Sequence, residues 1–168
     1  MITVETERLV LRPFREDDLD PYVEMVGDPD VMRFIGDGHT YDREEAWLGI
    51  AQMLGHWQLR GFGLWAVEER SSGGLVGRTG LYNPEGWPGI EVGWLLARSC
   101  WGCGYATEAG RASLEYAWHE LGADHVVSLI YPDNTASIRV AERLGETYER
   151  TITRRDKPVS IYGIDRPR

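Results

Sequence analysis

The sequence predicts an α/β domain in which one mixed, mostly antiparallel sheet of about seven strands carries helices on both faces. Its 168 residues are the size of one ordinary domain, and we expect residues 1–168 to form a single unit. The apolar pattern then changes period along the chain. After a first strand, helical spacing dominates up to residue 60. A hairpin follows, then strand–helix–strand–helix order and two closing strands.

The elements follow from local patterns. Alternating apolar and polar side chains predict strands, and apolar residues three or four apart predict helices. Glycine and proline mark where each element ends. The predicted strands are residues 3–13, 62–69, 75–82, 90–96, 125–131, 147–153 and 159–164. The predicted helices are residues 17–26, 42–60, 105–121 and 135–144.

The longest predicted helix, residues 42–60, carries two further predictions. Asp42 and Glu45 have the spacing of a capping box, which places the helix start. One apolar stripe is predicted along the helix, formed by Trp47, Ile50, Leu54 and Trp57.

The negative charge is concentrated at the beginning of the chain. The formal net charge is −9, and residues 1–45 contain 13 acidic and 5 basic side chains. This excess argues against a nucleic-acid partner, which needs a positive surface. It suits a cationic partner, although an acidic surface kept for solubility explains the same charge. Because there is neither a membrane-length apolar stretch nor a signal peptide, we expect a cytoplasmic protein without a membrane partner.

Cys100 and Cys103 form a C-x-x-C pair just before a predicted helix. Elsewhere this spacing marks a redox dithiol, but a thioredoxin-like protein would need a βαβ unit where this chain has a hairpin. The four histidines show no paired ligand spacing, and we expect no metal site. The simpler interpretation is that both cysteines fill loop positions.

Residues 90–110 contain the most informative junction. A strand runs into Gly102-Cys103-Gly104, and a helix begins at once. Unpaired N–H groups and the positive end of the helix dipole suit a pyrophosphate at such a start. The segment is neither a P-loop nor the dinucleotide-binding fingerprint. By itself, a tight turn explains the glycines equally well.

A second cluster lies at residues 134–145. Asn134 is a good N-cap, which explains the residue type without a function, and Ser137 would ordinarily be a solvated helical serine. A ligand role requires strands 90–96 and 125–131 to separate, so that an arm of the ligand lies between them.

Three blocks together resemble the GNAT superfamily of N-acetyltransferases, in the branch of the ribosomal-protein-alanine acetyltransferases. They are ETERLVLRP at 5–13, EVGWLL at 91–96 with WGCGYATEA at 101–109, and NTASIRVAERLG at 134–145. The resemblance runs from about residue 3 to 164. It implies a GNAT fold, acetyl-CoA as cosubstrate and a primary amine as acceptor, either a protein N-terminus or a small molecule. It also implies a monomer or a homodimer.

The resemblance also implies the cofactor-binding residues. The backbone of Trp94, Leu95 and Leu96 would pair with the pantetheine arm, and Asn134 would hydrogen-bond it. The pyrophosphate would be held by N–H groups of Gly102, Cys103, Gly104, Tyr105, Ala106 and Thr107. For the ribose 3′-phosphate the candidates are Arg111, Arg139 and Arg143, although solvated helix arginines are the commoner outcome.

Two side chains are predicted to be catalytic. Because an ammonium cannot attack a thioester, a base must take its proton. Glu91, on the strand beside the thioester, is the first candidate and Glu68 the second, while an ordinary surface glutamate is the alternative for Glu91. Ser137 would be the acid for the leaving thiolate, because Ala141 stands where the superfamily's usual tyrosine falls. A backbone N–H within residues 92–94 would hold the oxyanion.

The departures from the family pattern keep a second function open. Ser99 stands where many members carry Gln or Arg, and Glu146 follows Gly145 where an aromatic residue is usual. With the tyrosine missing as well, the alternative is a non-catalytic acyl-CoA-binding or sensory module. Trp87 lines an acceptor pocket or a partner surface in one interpretation and anchors its loop in the other. In a GNAT fold residues 14–60 would cover the acceptor side, which places the acidic excess beside a cationic amine.

Overall fold

A computed structural model describes residues 2–167, and within this range one sheet has eight strands. Their spatial order is β1-β2-β3-β4-β5-β6-β8-β7, and all neighbours are antiparallel except the parallel pair β5–β6. The strands are β1 (Val4–Glu5), β2 (Leu9–Arg12), β3 (Leu64–Glu69), β4 (Leu75–Tyr82), β5 (Glu91–Leu96), β6 (His125–Ile130), β7 (Thr147–Arg154) and β8 (Lys157–Asp165).

The helices are α1 (Leu19–Val26), α2 (Pro29–Met32), α3 (Arg43–Arg60), α4 (Tyr105–His119) and α5 (Thr135–Leu144). They cover both faces of the sheet, as the sequence predicts. On one face Trp65 and Val92 pack with Leu114 of α4. On the other face Ala66 and Leu95 pack with residues of α1, α2 and α3. Two apolar cores therefore enclose the central strands.

The predicted strand 3–13 is wrong as a single element, which is why the sheet gains a strand. Thr6 turns the chain between β1 and β2: its hydroxyl lies 3.2 Å from the Leu9 carbonyl and accepts from the Leu9 amide at 3.0 Å. Val4 then pairs back onto Leu11. A threonine that bonds the backbone three residues on competes with extended structure.

Two other differences concern the helices. The short helix α2 was not predicted, although Asp28 accepts a hydrogen bond from the Asp30 amide as its N-cap and Pro29 holds its first position. The predicted capping box of Asp42 and Glu45 is confirmed. The apolar stripe on α3 is wrong for Trp47, which is 52% exposed.

Among the described residues, no helix is both long and apolar enough to cross a membrane.

Candidate active site

The parallel strands β5 and β6 separate soon after they meet. Within residues 2–167 their registered pair is Glu91–Val127, and the Val127 amide donates to the Ile90 carbonyl at 2.9 Å. One residue further on, the Ser128 hydroxyl donates to the Val92 carbonyl at 2.9 Å in place of a backbone bond. The separation that the sequence requires for a ligand role is therefore present. A groove of about 1180 Å³ opens where the strands diverge.

The end of this groove is the loop that precedes α4. Gly102 and Gly104 have φ of +77° and +83°, which side chains with a Cβ rarely adopt. Gly104 is the N-cap of α4, and no side chain in the described part of the chain caps that end. The N–H groups of the first turn are thus left for a ligand, and the helix dipole favours an anion. The loop fits a phosphate group.

Arg8 holds this loop in place from the other end of the chain. Its Nε donates to the Glu108 carboxylate at 2.7 Å, and its Nη1 donates to the Cys103 carbonyl at 2.9 Å. The Thr6 hydroxyl donates to the same carboxylate at 2.6 Å. The turn between β1 and β2 is therefore tied to the first turn of α4. Arg8 and Glu108 are 100 positions apart, and no local pattern in the sequence predicts a contact over that separation.

The groove brings together every predicted cofactor-binding residue and Ser137. Its walls also include α2, the segment that follows it, and Arg111, Arg139 and Arg143. Glu91 does not line the groove. It lies at the β5–β6 pair where the groove begins, on the sheet face covered by α1 to α3.

Asn134 and Ser137 form one hydrogen-bonded unit with Trp94. The Asn134 Oδ1 accepts from the Ser137 amide at 3.2 Å, so its predicted role as N-cap of α5 is confirmed. The Ser137 hydroxyl oxygen accepts from the Asn134 Nδ2 at 3.0 Å and from the Trp94 indole N–H at 3.3 Å. With both lone pairs occupied, the hydroxyl hydrogen is left to donate to a group in the groove.

Glu91 is half-buried and firmly held rather than being a free surface glutamate. The Trp87 indole N–H donates to its Oε2 at 2.6 Å, and the Arg154 guanidinium stacks 3.7 Å from the centre of the Trp87 ring. Burial raises the pKa of Glu91 to about 7, although the Trp87 hydrogen bond and the charges of Arg78 and Arg154 oppose the rise. Trp87 therefore anchors its loop through the very carboxylate that the sequence predicts to be the base.

Comparison with known proteins identifies the family. The acetyltransferase (GNAT) domain matches residues 8–147 of the chain. The chain belongs to the GNAT acetyltransferase family.

This GNAT protein is 34% identical over 162 residues to the uncharacterized protein YkkB of Bacillus subtilis (strain 168), covering 94% of the chain and 92% of YkkB. Its fold is similar to that of an acetyltransferase from Agrobacterium tumefaciens str. C58, at 31% identity and a TM-score of 0.88, covering 99% of this chain and 95% of that one. RimL, a ribosomal L7/L12 α-N-protein acetyltransferase solved with coenzyme A, shares the fold at 17% identity and a TM-score of 0.82, with 98% of both chains covered.

The predicted family and enzyme class are thus confirmed, and the protein is an acetyl-CoA-dependent N-acetyltransferase of the GNAT family.

The second candidate base of this GNAT enzyme, Glu68, is engaged elsewhere. Arg12 donates from Nε to its carboxylate at 2.6 Å, and Glu68 lines a separate cavity of about 380 Å³. Arg12 also binds Asp18, and both of these side chains are almost fully buried. Glu68 therefore belongs to an ion-pair cluster outside the groove, and its role as an alternative base stays a prediction.

Cys100 and Cys103 are free thiols. Cys103 is exposed in the loop that precedes α4, and its thiol lies 3.8 Å from the Trp101 carbonyl. Both cysteines line the groove wall as loop residues, in agreement with the simpler interpretation of the C-x-x-C spacing.

Glu146, the residue that departs from the family pattern, is a buried acid behind the site. It is 2% exposed, its Oε1 lies 3.1 Å from the Ser128 hydroxyl, and its Oε2 has no hydrogen-bond partner in the described chain. The single Ser128 hydrogen cannot serve both Val92 and a carboxylate. A protonated Glu146 resolves this, because it donates to Ser128 while Ser128 donates to Val92.

Burial and the nearby charges of Glu91 and Glu149 raise the pKa of Glu146 to about 8. Between its ordinary pKa of 4.5 and this value, the folded chain holds a proton that the unfolded chain releases. The contribution of Glu146 to stability therefore falls as the pH rises through that window. A glutamine at this position can donate to Ser128 in the same way but cannot ionise.

We expect Glu146→Gln to change the free energy of unfolding little at pH 5 and to increase it relative to the wild type at pH 8. Urea unfolding of both proteins at the two pH values measures this difference. The conservative variant Glu142→Gln, at an exposed position of α5, serves as the control. Parallel pH dependences for the wild type and Glu146→Gln would show that Glu146 is ionised in the folded protein.

The acidic N-terminal segment is largely engaged in structure. Asp30 binds Arg98, which precedes the glycine loop before α4, at 2.7 Å, and Asp20 binds Arg43 at 2.6 Å. Asp28 caps α2, and Asp18 is buried against Arg12. These carboxylates therefore have structural partners, and the expectation that the acidic excess attracts a cationic amine stays a prediction.

Proposed function

We propose that this enzyme transfers an acetyl group from acetyl-CoA to a primary amine by direct attack, at the point where β5 and β6 separate. The observation that carries the proposal is a single groove that joins an uncapped helix start, a separated strand pair and a serine hydroxyl free to donate. RimL, which has the same fold, was solved with coenzyme A, and this supports the placement.

In the groove, the N–H groups from Gly102 to Thr107 would hold the pyrophosphate. The free edge of β5 at Trp94, Leu95 and Leu96 would pair with the pantetheine arm, and Asn134 has a second amide hydrogen to donate to it. Acetyl-CoA supplies the activated thioester. The ring of Trp94 stays fixed by Ser137, so the arm would meet a preformed wall.

Glu91 would accept the proton of the attacking ammonium, directly or through a water molecule. A base with a pKa of about 7 is half ionised at neutral pH, which suits proton transfer there. A backbone N–H within residues 92–94 would stabilise the oxyanion. The Ser137 hydroxyl, whose lone pairs are occupied, would donate to the leaving thiolate.

A module that binds acyl-CoA without turnover is the second candidate, and Ala141 in place of a tyrosine favours it. Calorimetric titration with coenzyme A and release of free thiol from acetyl-CoA with a panel of amines separate the two functions. Our proposal requires binding together with thiol release that depends on an amine. Tight binding of coenzyme A without thiol release in the presence of any amine would support the non-catalytic acyl-CoA-binding module.

The loop at residues 102–107, which would hold the pyrophosphate, allows a matched test of the cofactor site. Gly102 and Gly61 have φ of +77° and +78°, and neither has an atom near the position of an added Cβ. Alanine at either position is therefore strained to the same degree. We expect Gly102→Ala to weaken coenzyme A binding by at least about tenfold, because it displaces charge-assisted hydrogen bonds. Gly61→Ala, at the far end of α3, should leave the affinity unchanged, and equal affinities for both variants would remove the loop from the cofactor site.

A further inference from the structure

A row without side chains lies between Arg78 and Glu91 on the face of the sheet that α1 to α3 cover. In the β4–β5 ladder Tyr82 stands opposite Glu91, and Arg78 stands opposite Leu95. The row between these two pairs is Gly80 opposite Gly93. Residues two apart share a face, so the three rows lie on the same face of the sheet. Gly80 has a φ of +135°, and a Cβ added there would meet the backbone of Gly63 and Leu64 at the start of β3, so the open part of the row is at Gly93. The missing side chain of Gly93 leaves a depression with a carboxylate at one end and a guanidinium at the other.

The carboxylate leans over this depression. A Cβ added to Gly93 would have the Glu91 Oε1 at 3.7 Å as its neighbour, with nothing else in contact. The space above Gly93 is therefore open, and Glu91 borders it directly. Any side chain at Gly93 would fill the place where a ligand amine could approach the base.

Arg78 is a half-buried cation without a counter-ion in the described chain. Its Nε is buried and has no hydrogen-bond partner, and no carboxylate of residues 2–167 lies within ion-pair distance. Its positive charge opposes the burial-driven rise in the pKa of both Glu91 and Tyr41, so Arg78 faces both groups. In contrast, Arg12, Arg43 and Arg98 are all paired with carboxylates.

Leaving a partly desolvated guanidinium unpaired costs free energy that a bound anion would recover. Arginine binds a carboxylate in a planar, two-point arrangement, which a ligand lying over the glycine row could use. The Glu91 row and the Arg78 row are four residues apart along β5, a distance of roughly 13 Å. The glutamate and arginine side chains take up most of that length, so only a short ligand fits between them.

We propose that Arg78 is the anion-binding subsite of the acceptor pocket, and that the acceptor is a small zwitterion of the α-amino-acid type. Its carboxylate pairs with Arg78 while its amine lies at Glu91. This inference rests on the proposed function, and it replaces a purely cationic acceptor by one that carries both charges. A polyamine would place a cation against Arg78 and is disfavoured.

The test compares the standard α-amino acids with their carboxamides, which keep the amine and lose the anion. We expect kcat/KM of the wild type to be about 10- to 100-fold higher for the preferred amino acid than for its amide. Arg78→Gln should lower the value for the acid by a similar factor and leave that for the amide unchanged. Arg78→Lys should be intermediate, and Arg60→Gln, on the exposed end of α3, serves as the matched control.

Equal use of acid and amide by the wild type would overturn the subsite, and that comparison needs no variant to fold. An equal loss on both substrates in Arg78→Gln would overturn it as well. Thiol release with polyamines but not with amino acids would refute the inference and leave the proposed function intact. If no amine releases thiol, the proposed function fails. Calorimetric titration of the coenzyme A complex with acid and amide then decides the subsite by binding alone, where a preference for the acid that is lost in Arg78→Gln supports it.

Discussion

Replacing Glu91 by glutamine is expected to lower kcat by about 100- to 10,000-fold, the usual contribution of a general base. The amide can still accept the hydrogen bond of Trp87, so the loop and the shape of the pocket should remain as they are. It cannot take a proton from the ammonium. Because Glu91 lies outside the proposed cofactor groove, the affinity for coenzyme A should not change.

The loss of activity in Glu91→Gln should also depend on pH. A base acts only when deprotonated, so kcat/KM of the wild type should rise with pH through an apparent pKa of about 7. The deficit of Glu91→Gln should therefore be largest at high pH, because at low pH the wild-type carboxylate is itself protonated. Glu85→Gln, exposed in the loop that leads into β5, is the matched control. An unchanged pH–rate profile in Glu91→Gln would remove Glu91 from the reaction.

Asp18→Asn is expected to reduce the free energy of unfolding by about 3–5 kcal/mol. Arg12 donates to both carboxylate oxygens of Asp18 at 2.7 Å, and the two residues are 5% and 4% exposed. The amide would leave the Arg12 cation buried with Glu68 as its remaining ion-pair partner. For a domain of this size, the loss corresponds to a fall in melting temperature of roughly 10 °C.

Urea unfolding or calorimetry measures this effect, and Asp20→Asn provides the control. Asp20 binds Arg43 at 2.6 Å, but the Asp20 side chain is 77% exposed. A surface pair of this kind contributes about 0–1 kcal/mol. Similar losses in the two variants would show that burial does not set the strength of the Arg12–Asp18 pair. The affinity for coenzyme A should be the same in both.

Local sequence patterns predicted the elements that depend on local physics. The period of apolar residues located α3, α4 and the antiparallel strands, and the capping box of Asp42 and Glu45 placed a helix start. The helix α2 has four residues, too few for any periodicity to register. Trp47 is exposed although its spacing predicts a buried position. Apolar spacing identifies one face of a helix, but it does not show how much of that face other elements cover.

The residues of the candidate site also fall into those with a local sequence signal and those that depend on contacts between distant segments. Glycines before a helix and an N-cap asparagine are local signals, so residues 102–107 and Asn134 could be selected from the sequence. Arg8 with Glu108, and Arg78 across the glycine row from Glu91, depend on strand register and on contacts between distant segments. From the sequence, Glu146 is notable only as a departure from the family pattern. Its burial, which raises the pKa of its carboxyl group, becomes known only from the fold.

Transfer of a radiolabelled acetyl group tests the central claim most directly. The protein is saturated with acetyl-CoA labelled in the acetyl group, mixed with amino acids and other primary amines, and quenched within one turnover. We predict that the label moves from the thioester to the nitrogen of the acceptor, without passing through a covalent acetyl-protein. A label that remains on the thioester with every amine, or that accumulates on the protein, would contradict direct attack.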